Sequence, residues 1–140
     1  MTERSLAEIA EKMRDIDVCM MSTHTETGGI AGRPMSNNQD VDYDGSSFYF
    51  TMEDSDVVAE IERDVNVALA FKGDDNFWVA IEGEGEIIRD KAAFEEHWNE
   101  DIEEWFEEGT DTPGLVMIKV EARLAHYWDG EDEGEVILPS

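Results

Sequence analysis

An arginine followed by a proline is the first feature of the sequence that could bind a charged ligand. Arg33, Pro34 and Met35 lie in a stretch from Gly28 to Gln39 that contains no acidic residue. A guanidinium on a strand interrupted by proline can serve a defined anion, because it offers a rigid fork of N–H donors. The alternative is a surface arginine that pairs with one of the chain's many carboxylates.

Two hydroxyl side chains form a second candidate site. Thr51 and Ser55 follow the aromatic run Phe48–Phe50. Hydroxyls, together with the backbone amides at the start of a helix, can hold a phosphate. The alternative is ordinary capping of a short helix by Asp54 or Ser55.

Tryptophans form a third candidate. Phe94, Trp98, Ile102 and Trp105 recur at intervals of 4, 4 and 3 residues, which predicts a stripe on one helical face. Such a stripe is usually part of a core. Here acidic residues surround it, so the stripe should press against a sheet, a subunit or a flat ring. Trp128 is the further tryptophan of this set.

Other catalytic patterns are absent from the sequence. Cys19, His24, His97 and His126 are scattered and lack the close spacing of zinc ligands. There is no Walker-type loop, no dinucleotide-binding glycine motif and no recognisable nucleophile–histidine arrangement. Because no side chain has the features of a general acid or base, we predict no catalytic residue and no metal site. Cys19 is predicted to be a buried apolar residue.

The first elements that must position these residues are a helix and two strands. Apolar spacing predicts a helix from Thr2 to Arg14 and a strand from Val18 to Thr23. After a glycine turn, a strand is expected from Ile30 to Asn38. Pro34 inside it predicts an edge strand or a bulge, because proline cannot donate to a ladder.

Further along the chain, Asp44-Gly45 predicts a hairpin between Val41–Tyr43 and Ser47–Thr51. A short helix with Val57, Val58 and Ile61 on its apolar face should follow. The remaining predictions are strands at Val65–Phe71, Phe77–Arg89 and Leu115–Trp128, a bulge near Gly83–Gly85, and one long helix from Asp90 to Gly109. The acidic tail, Asp129–Ser140, carries apolar residues that could return to the body.

The order of these elements favours a mainly β (α+β) fold. Strands do not alternate with crossover helices, so a parallel doubly wound sheet is not expected. Antiparallel hairpins that close into a small split β-barrel, with peripheral helices, fit better. A length of 140 residues suits a single domain, 1–140.

Charge restricts the partners. The chain has 36 Asp and Glu residues and 10 Lys and Arg residues, a formal charge of −26. This excludes a basic groove for nucleic acid and docking onto an anionic membrane. The acidity has three interpretations: a solvated surface, adaptation to salt, or a specific basic partner. We expect a cytoplasmic protein, because neither a signal peptide nor a membrane span is visible.

Several segments in order resemble the general stress protein branch of the pyridoxamine 5′-phosphate oxidase-like proteins, which have an FMN-binding split barrel. The matching segments cover nearly the whole chain. They are Met20–Thr23, Gly32–Met35, Val41–Gly45, Phe48–Thr51, Asp54–Ser55, Ala59–Ile61, Val65–Phe71, Glu82–Gly83, Trp98, Trp105–Phe106 and Tyr127–Asp129.

The resemblance implies a homodimer with FMN bound between two barrels. It places Arg33, Thr51 and Ser55 at the phosphate or ribityl chain. It also places Pro34, Met35 and Phe50 along the isoalloxazine ring. The partner chain would cover the ring with an aromatic residue, and the candidates here are Trp98, Trp105 and Trp128.

Two departures from the family pattern matter. The family commonly has a lysine for the phosphate where this chain has Val57. True pyridoxamine 5′-phosphate oxidases have an arginine-rich C-terminal segment, whereas this chain has the acidic Asp129–Glu135. The favoured hypothesis is an FMN-binding stress protein, acting as a flavin-dependent oxidoreductase with a small-molecule redox partner. The alternatives are a flavin-free split-barrel dimer with a binding or structural role, and a barrel for another flavin or a haem-like ligand.

Overall fold

The structure of the protein is a computed structural model that describes residues 6–14, 16, 18–36, 45–98, 102, 106 and 108–138. Within these residues the chain forms a sequence of short helices and longer strands. They are α1 (Leu6–Met13), β1 (Val18–His24), β2 (Ile30–Ser36), β3 (Ser46–Met52), α2 (Asp56–Arg63), β4 (Asn66–Lys72), β5 (Phe77–Ile88), α3 (Lys91–Glu96), a 3-10 turn (Gly109–Asp111), β6 (Leu115–Asp129) and β7 (Asp132–Ile137).

The strands form one curled sheet in which every described pairing is antiparallel. Their order is β2-β1-β4-β5-β6-β3, and β7 pairs with the C-terminal half of β6. This order confirms the predicted antiparallel split barrel with peripheral helices.

Two edge strands, β2 and β3, lie at opposite ends of this strand order, and the described residues show no hydrogen-bonded pairing between them. The barrel is therefore split along this seam. Pro34 lies on β2 and pairs with Met20 in an unbroken register. The predicted edge position is confirmed, since among the described residues β2 pairs only with β1, and its register with β1 contains no bulge.

The long strand β6 pairs with β5 along its length, and this pairing contains a bulge. Glu82 lies opposite Leu124, but Gly83 lies opposite Ala122, so Arg123 is the extra residue. The sequence predicted a bulge here, and the structure places the inserted residue on β6. A side chain at Gly83 would collide with the backbone carbonyl of Glu121, so this position requires glycine.

The core lies inside the barrel and under α2. Val67, Leu69 and Phe71 alternate inward along β4, as predicted. Val57, Val58 and Ile61 form the buried face of α2, also as predicted. The largest fully buried side chains include Tyr49 and Tyr127. Cys19 is 1% exposed, with its thiol 3.7 Å from the Tyr49 hydroxyl, and burial raises its pKa to about 11.

The predicted single helix from Asp90 to Gly109 is wrong. Asp90 caps α3 by accepting from the Ala92 amide at 3.3 Å, as predicted, but α3 ends at Glu96 and Trp98 is not helical. Packing is the reason. The His97 ring stacks on Phe48 and the Trp98 ring meets Phe50 edge to face, so both residues after α3 pack on the outward phenylalanines of β3.

The two ends of the chain agree with the sequence prediction over the residues that the structure describes. The acidic tail returns as β7, as its apolar residues suggested. The predicted first helix is present as α1, and its proposed N-terminal part lies outside the described residues, as do Val41–Asp44 of the proposed hairpin. The longest helices described, α1 and α2, have 8 residues each, far fewer than a bilayer crossing requires.

Candidate functional site

The seam between β2 and β3 opens into a cleft of about 200 Å³, hereafter the seam cleft. Its lining comes from both edge strands and from the segment that follows α3. The lining residues are Pro34, Met35, Ser36, Phe48, Tyr49, Phe50, Ile102 and Phe106. The cleft therefore joins the two segments that the resemblance assigned to the isoalloxazine ring.

Strand alternation explains why the seam cleft is apolar and flat. On β3, Tyr49 points inward and is 1% exposed, whereas Phe48 and Phe50 point outward and are half-buried. On β2, Pro34 and Ser36 are exposed and Met35 is buried between them. The cleft thus presents ring faces and a proline along two separated edges, which suits a planar aromatic ligand.

Aromatic side chains support the seam cleft from behind. Trp98 meets Phe50 edge to face at a centroid distance of 5.0 Å, and it lies 6.0 Å from Phe106. His97 stacks on Phe48 at 3.6 Å. Trp98 therefore buttresses the cleft of its own chain. Trp105, the neighbouring candidate, lies outside the described residues.

Five lining residues were missed as site residues in the sequence: Ser36, Phe48, Tyr49, Ile102 and Phe106. Ser36 and Phe48 lie two positions from predicted residues on the same strands, and period-two alternation could have identified them. Ile102 belonged to the aromatic stripe, and Phe106 lies one turn beyond it. No local pattern showed that this segment folds back over β3.

Arg33 does not face the seam cleft; it belongs to a separate polar cluster beneath α2. Its Nη1 donates to the Thr23 hydroxyl at 2.7 Å and to the Met21 carbonyl at 3.4 Å. Its Nη2 donates to Oε1 of Glu60 at 2.9 Å. Arg33 is thus paired with a carboxylate, as one of the two interpretations of the sequence expected, and its role at an anion stays a prediction.

Glu60 lies at the centre of this polar cluster. Its Oε1 accepts from the Thr23 hydroxyl at 2.6 Å as well as from Arg33, and its side chain is 13% exposed. The Thr23 hydroxyl lowers the pKa of Glu60, partial burial opposes it, and the charges of Arg33 and Arg63 add to the lowering. The carboxylate is therefore ionised at neutral pH.

The predicted hydroxyl ligands also have internal partners. Ser55 Oγ donates to the Met52 carbonyl at 2.7 Å, and Thr51 Oγ1 donates to Ser55 Oγ at 3.4 Å. Ser55 occupies the N-cap of α2 but makes no side-chain bond to the helix amides. The two hydroxyls lie together, as predicted.

Val57 lies in the core. Its side chain is 4% exposed and packs with the apolar face of α2. The position that commonly carries the family's lysine thus contributes hydrophobic packing here and no charge.

Trp128 lies on the outer face of the barrel, far along the sheet from β2. It stands directly opposite Trp78 of β5, and the His126 ring stacks on it at 4.1 Å. His126 Nε2 lies 2.7 Å from Glu133 Oε2, within hydrogen-bond distance. Trp78 remains 44% exposed. Trp128 therefore lies on the outer face and not at the cleft of its own chain.

Residues on the same outer face form two adjacent rows. The first, hereafter the small row, has two alanines at its centre. It runs from Pro34 through Met20, Ala70 and Ala80 to His126. The second is aromatic with charged ends and runs from Lys72 through Trp78 and Trp128 to Glu133. Because Pro34 begins the small row and also lines the seam cleft, the outer face is continuous with the cleft.

Fold and site together define a split barrel with an aromatic seam cleft. Residues 4–138 match the family described as pyridoxamine 5′-phosphate oxidase like, so the chain belongs to that family. The family membership predicted from the sequence is confirmed. No curated protein sequence matches the chain significantly.

Known structures share this fold at low sequence identity. A protein related to general stress protein 26 from Clostridium acetobutylicum has 19% identity and a TM-score of 0.82, over 94% of this chain and 92% of its own. The general stress FMN/FAD binding protein of Xanthomonas citri has 24% identity and a TM-score of 0.75, over 95% and 94%. A haem binding protein from Mycobacterium smegmatis has 13% identity and a TM-score of 0.76, over 98% and 60%.

Proposed function

We propose that the protein binds a flavin, with FMN as the predicted form, through the seam cleft. The observation that carries this proposal is the convergence of Pro34–Ser36 and Phe48–Phe50 on one apolar cleft. A tricyclic ring is flat and apolar on both faces, so it matches such a cleft in shape and chemistry. The FMN/FAD binding stress protein of the same fold supports the choice of ligand.

The chain's own contribution to the chemistry is binding, orientation and exclusion of water. Phe48 and Phe50 would contact the ring, and Trp98 fixes Phe50 in place. When bound, a flavin supplies redox chemistry, so we propose a flavin-dependent oxidoreductase with a small-molecule redox partner. Pyridoxamine phosphate is a poor candidate, because the corresponding C-terminal segment forms the acidic β7.

We further propose that a second copy of the chain completes the site. The seam cleft measures about 200 Å³, whereas pockets for ligands of this size typically measure about 300–1,000 Å³. A homodimer formed through the outer face would add the missing wall. Trp128 and Trp78 lie on that face, so the aromatic row of one copy would lie beside the cleft of the other.

The shape and charge of the outer face support a two-fold arrangement. A two-fold axis brings each patch against itself in reverse direction. The aromatic row has Lys72 at one end and Glu133 at the other, so reversal would pair opposite charges. The adjacent small row, with Ala70 and Ala80, provides a shallow surface on which the rings of the other copy could lie.

Flavin titration of purified protein tests the proposal. We expect FMN bound by the wild type to show reduced flavin fluorescence and raised anisotropy. Ser36→Trp should abolish this signal by filling the seam cleft. Ile30→Trp is the matched control, because Ile30 is exposed on the same side of β2 and lies outside the cleft. If both variants bind FMN like the wild type, the cleft is not the flavin site.

A flavin-free split-barrel dimer is the second candidate. The pairing of Arg33 with Glu60 and the burial of Val57 favour it, because Arg33 is engaged by a carboxylate and Val57 supplies no charge for a phosphate. If wild-type protein does not bind FMN at saturating concentration, at either low or high salt, the flavin-free dimer is the supported function. Haem is less well supported, since none of the cleft's lining residues within the described chain is a histidine.

The proposed setting of this activity is the cytoplasm and a stress response. The general stress proteins of the same fold support the proposed role in a stress response. The proposed cytoplasmic location rests on the single cysteine, Cys19, which is buried and cannot form a disulfide within the chain.

A further inference from the structure

The Glu60 carboxylate is bound to Arg33, the arginine that the resemblance assigned to the flavin phosphate. Its Oε1 lies 2.9 Å from Arg33 Nη2 and 2.6 Å from the Thr23 hydroxyl. A phosphate oxygen bound by Arg33 at this position would compete with Glu60 for the same guanidinium hydrogen. The chain's own carboxylate is thus bound where an anionic ligand would be held.

The donors of the predicted phosphate site are largely used within the chain. Three hydrogen bonds from Arg33 go to Glu60, Thr23 and the Met21 carbonyl. The hydroxyl hydrogens of Thr51 and Ser55 go to Ser55 and Met52. A phosphate that uses the engaged Nη1 or Nη2 hydrogens or these hydroxyls would have to replace existing bonds, and the net gain from each replacement is small.

Charge makes the exchange still less favourable. Arg33 and Glu60 form a pair with no net charge, and Val57 supplies no cation. A dianionic phosphate near Arg33 would lie close to the ionised Glu60, which repels it. Arg63 is near enough to lower the pKa of Glu60, but it only partly offsets a chain with a formal charge of −26.

We propose that Glu60 is an internal competitor for the phosphate and thereby determines which flavin the protein accepts. The flavin is held by its ring in the seam cleft, and the phosphate adds little affinity. Riboflavin, which lacks the phosphate, then binds about as tightly as FMN. This inference rests on the proposed flavin site.

Four affinities test it: FMN and riboflavin, each titrated against wild-type protein and Glu60→Gln. In the wild type we expect the two dissociation constants to agree within about threefold. In Glu60→Gln, FMN should bind about tenfold more tightly, because freeing a charged hydrogen bond from competition is worth about 1.5 kcal/mol or more. Riboflavin affinity should stay unchanged.

Two further variants isolate the cause. Glu62→Gln removes one charge from the same helix, but Glu62 is exposed and pairs with Arg89 at 3.2 Å, so FMN affinity should not change. The double variant Arg33→Gln with Glu60→Gln should return FMN affinity to the wild-type value. It removes both members of the pair and leaves no unpaired charge behind.

The outcomes separate the inference from the function on which it rests. If wild-type protein binds FMN more than about thirtyfold tighter than riboflavin, or if Glu60→Gln weakens FMN, Glu60 positions Arg33 for the phosphate and the inference is overturned. The flavin function survives in that case. If neither flavin binds any variant, the proposed function fails and the inference fails with it.

Discussion

The seam cleft and the Arg33 cluster are neighbours in sequence, yet their groups are used in different ways. Pro34 and Phe50 present apolar surface that remains available for a ligand. Arg33, by contrast, is engaged by Glu60 and Thr23. Residue types suggested a ring site and a phosphate site together; in the structure the ring segments line a cleft, whereas Arg33 is paired with Glu60. A motif identifies a position, whereas the contacts around it decide whether that position can bind.

The largest expected effect is on the stability of the proposed dimer, in which a second copy of the chain would complete the ring site. Ala70→Glu places a carboxylate in the middle of the small row on β4. Two-fold symmetry would oppose two such charges, which costs several kcal/mol, so we expect the dimer dissociation constant to rise at least about hundredfold. Light scattering and flavin titration measure the two consequences.

Ala92→Glu is the control for that variant. It makes the same substitution at an exposed position of α3, away from the outer face. It should remain dimeric and bind flavin normally. If Ala70→Glu also remains dimeric, the outer face is not the interface and the cleft must be completed differently.

A smaller effect is expected at the Arg33 cluster, and it should appear as lost stability. Arg33→Ala leaves Glu60, only 13% exposed, without its cation. We expect the free energy of unfolding to fall by about 2–3 kcal/mol, measured by urea denaturation. Arg63→Ala, at an exposed position of α2, should cost less than about 0.5 kcal/mol. Equal losses in the two variants would show that the cluster adds no stability.

The smallest effect is the pH dependence of that cluster. The folded pKa of Glu60 lies below its ordinary value of 4.5, so its contribution to stability is complete above 4.5 and disappears as the pH falls through the folded pKa. Wild-type protein should exceed Glu60→Gln in stability by about 1–2 kcal/mol at pH 7. The difference should shrink below pH 4.5. A difference that stays constant to pH 3 would mean that the ionised form is not the stabilising one.

Several elements were predictable because local rules and tertiary packing agree. Alternation on β4 and the apolar face of α2 survive in the structure, since both faces meet the same core. The helix from Asp90 to Gly109 was not predictable. Its aromatic spacing fits a helix, but contacts with Phe48 and Phe50 from a distant strand break it after Glu96. Non-local contacts of this kind leave no periodic signal.

The sequence by itself determined the class of fold and the segments of the candidate site. Period-two patterns, turn glycines and Pro34 define antiparallel strands with an edge, because these depend on backbone geometry within a few residues. Only the tertiary structure decided which site residues remain available. Glu60 reaches Arg33 across 27 positions, from a helix to an edge strand, and spacing along the chain cannot reveal which of many carboxylates will do so.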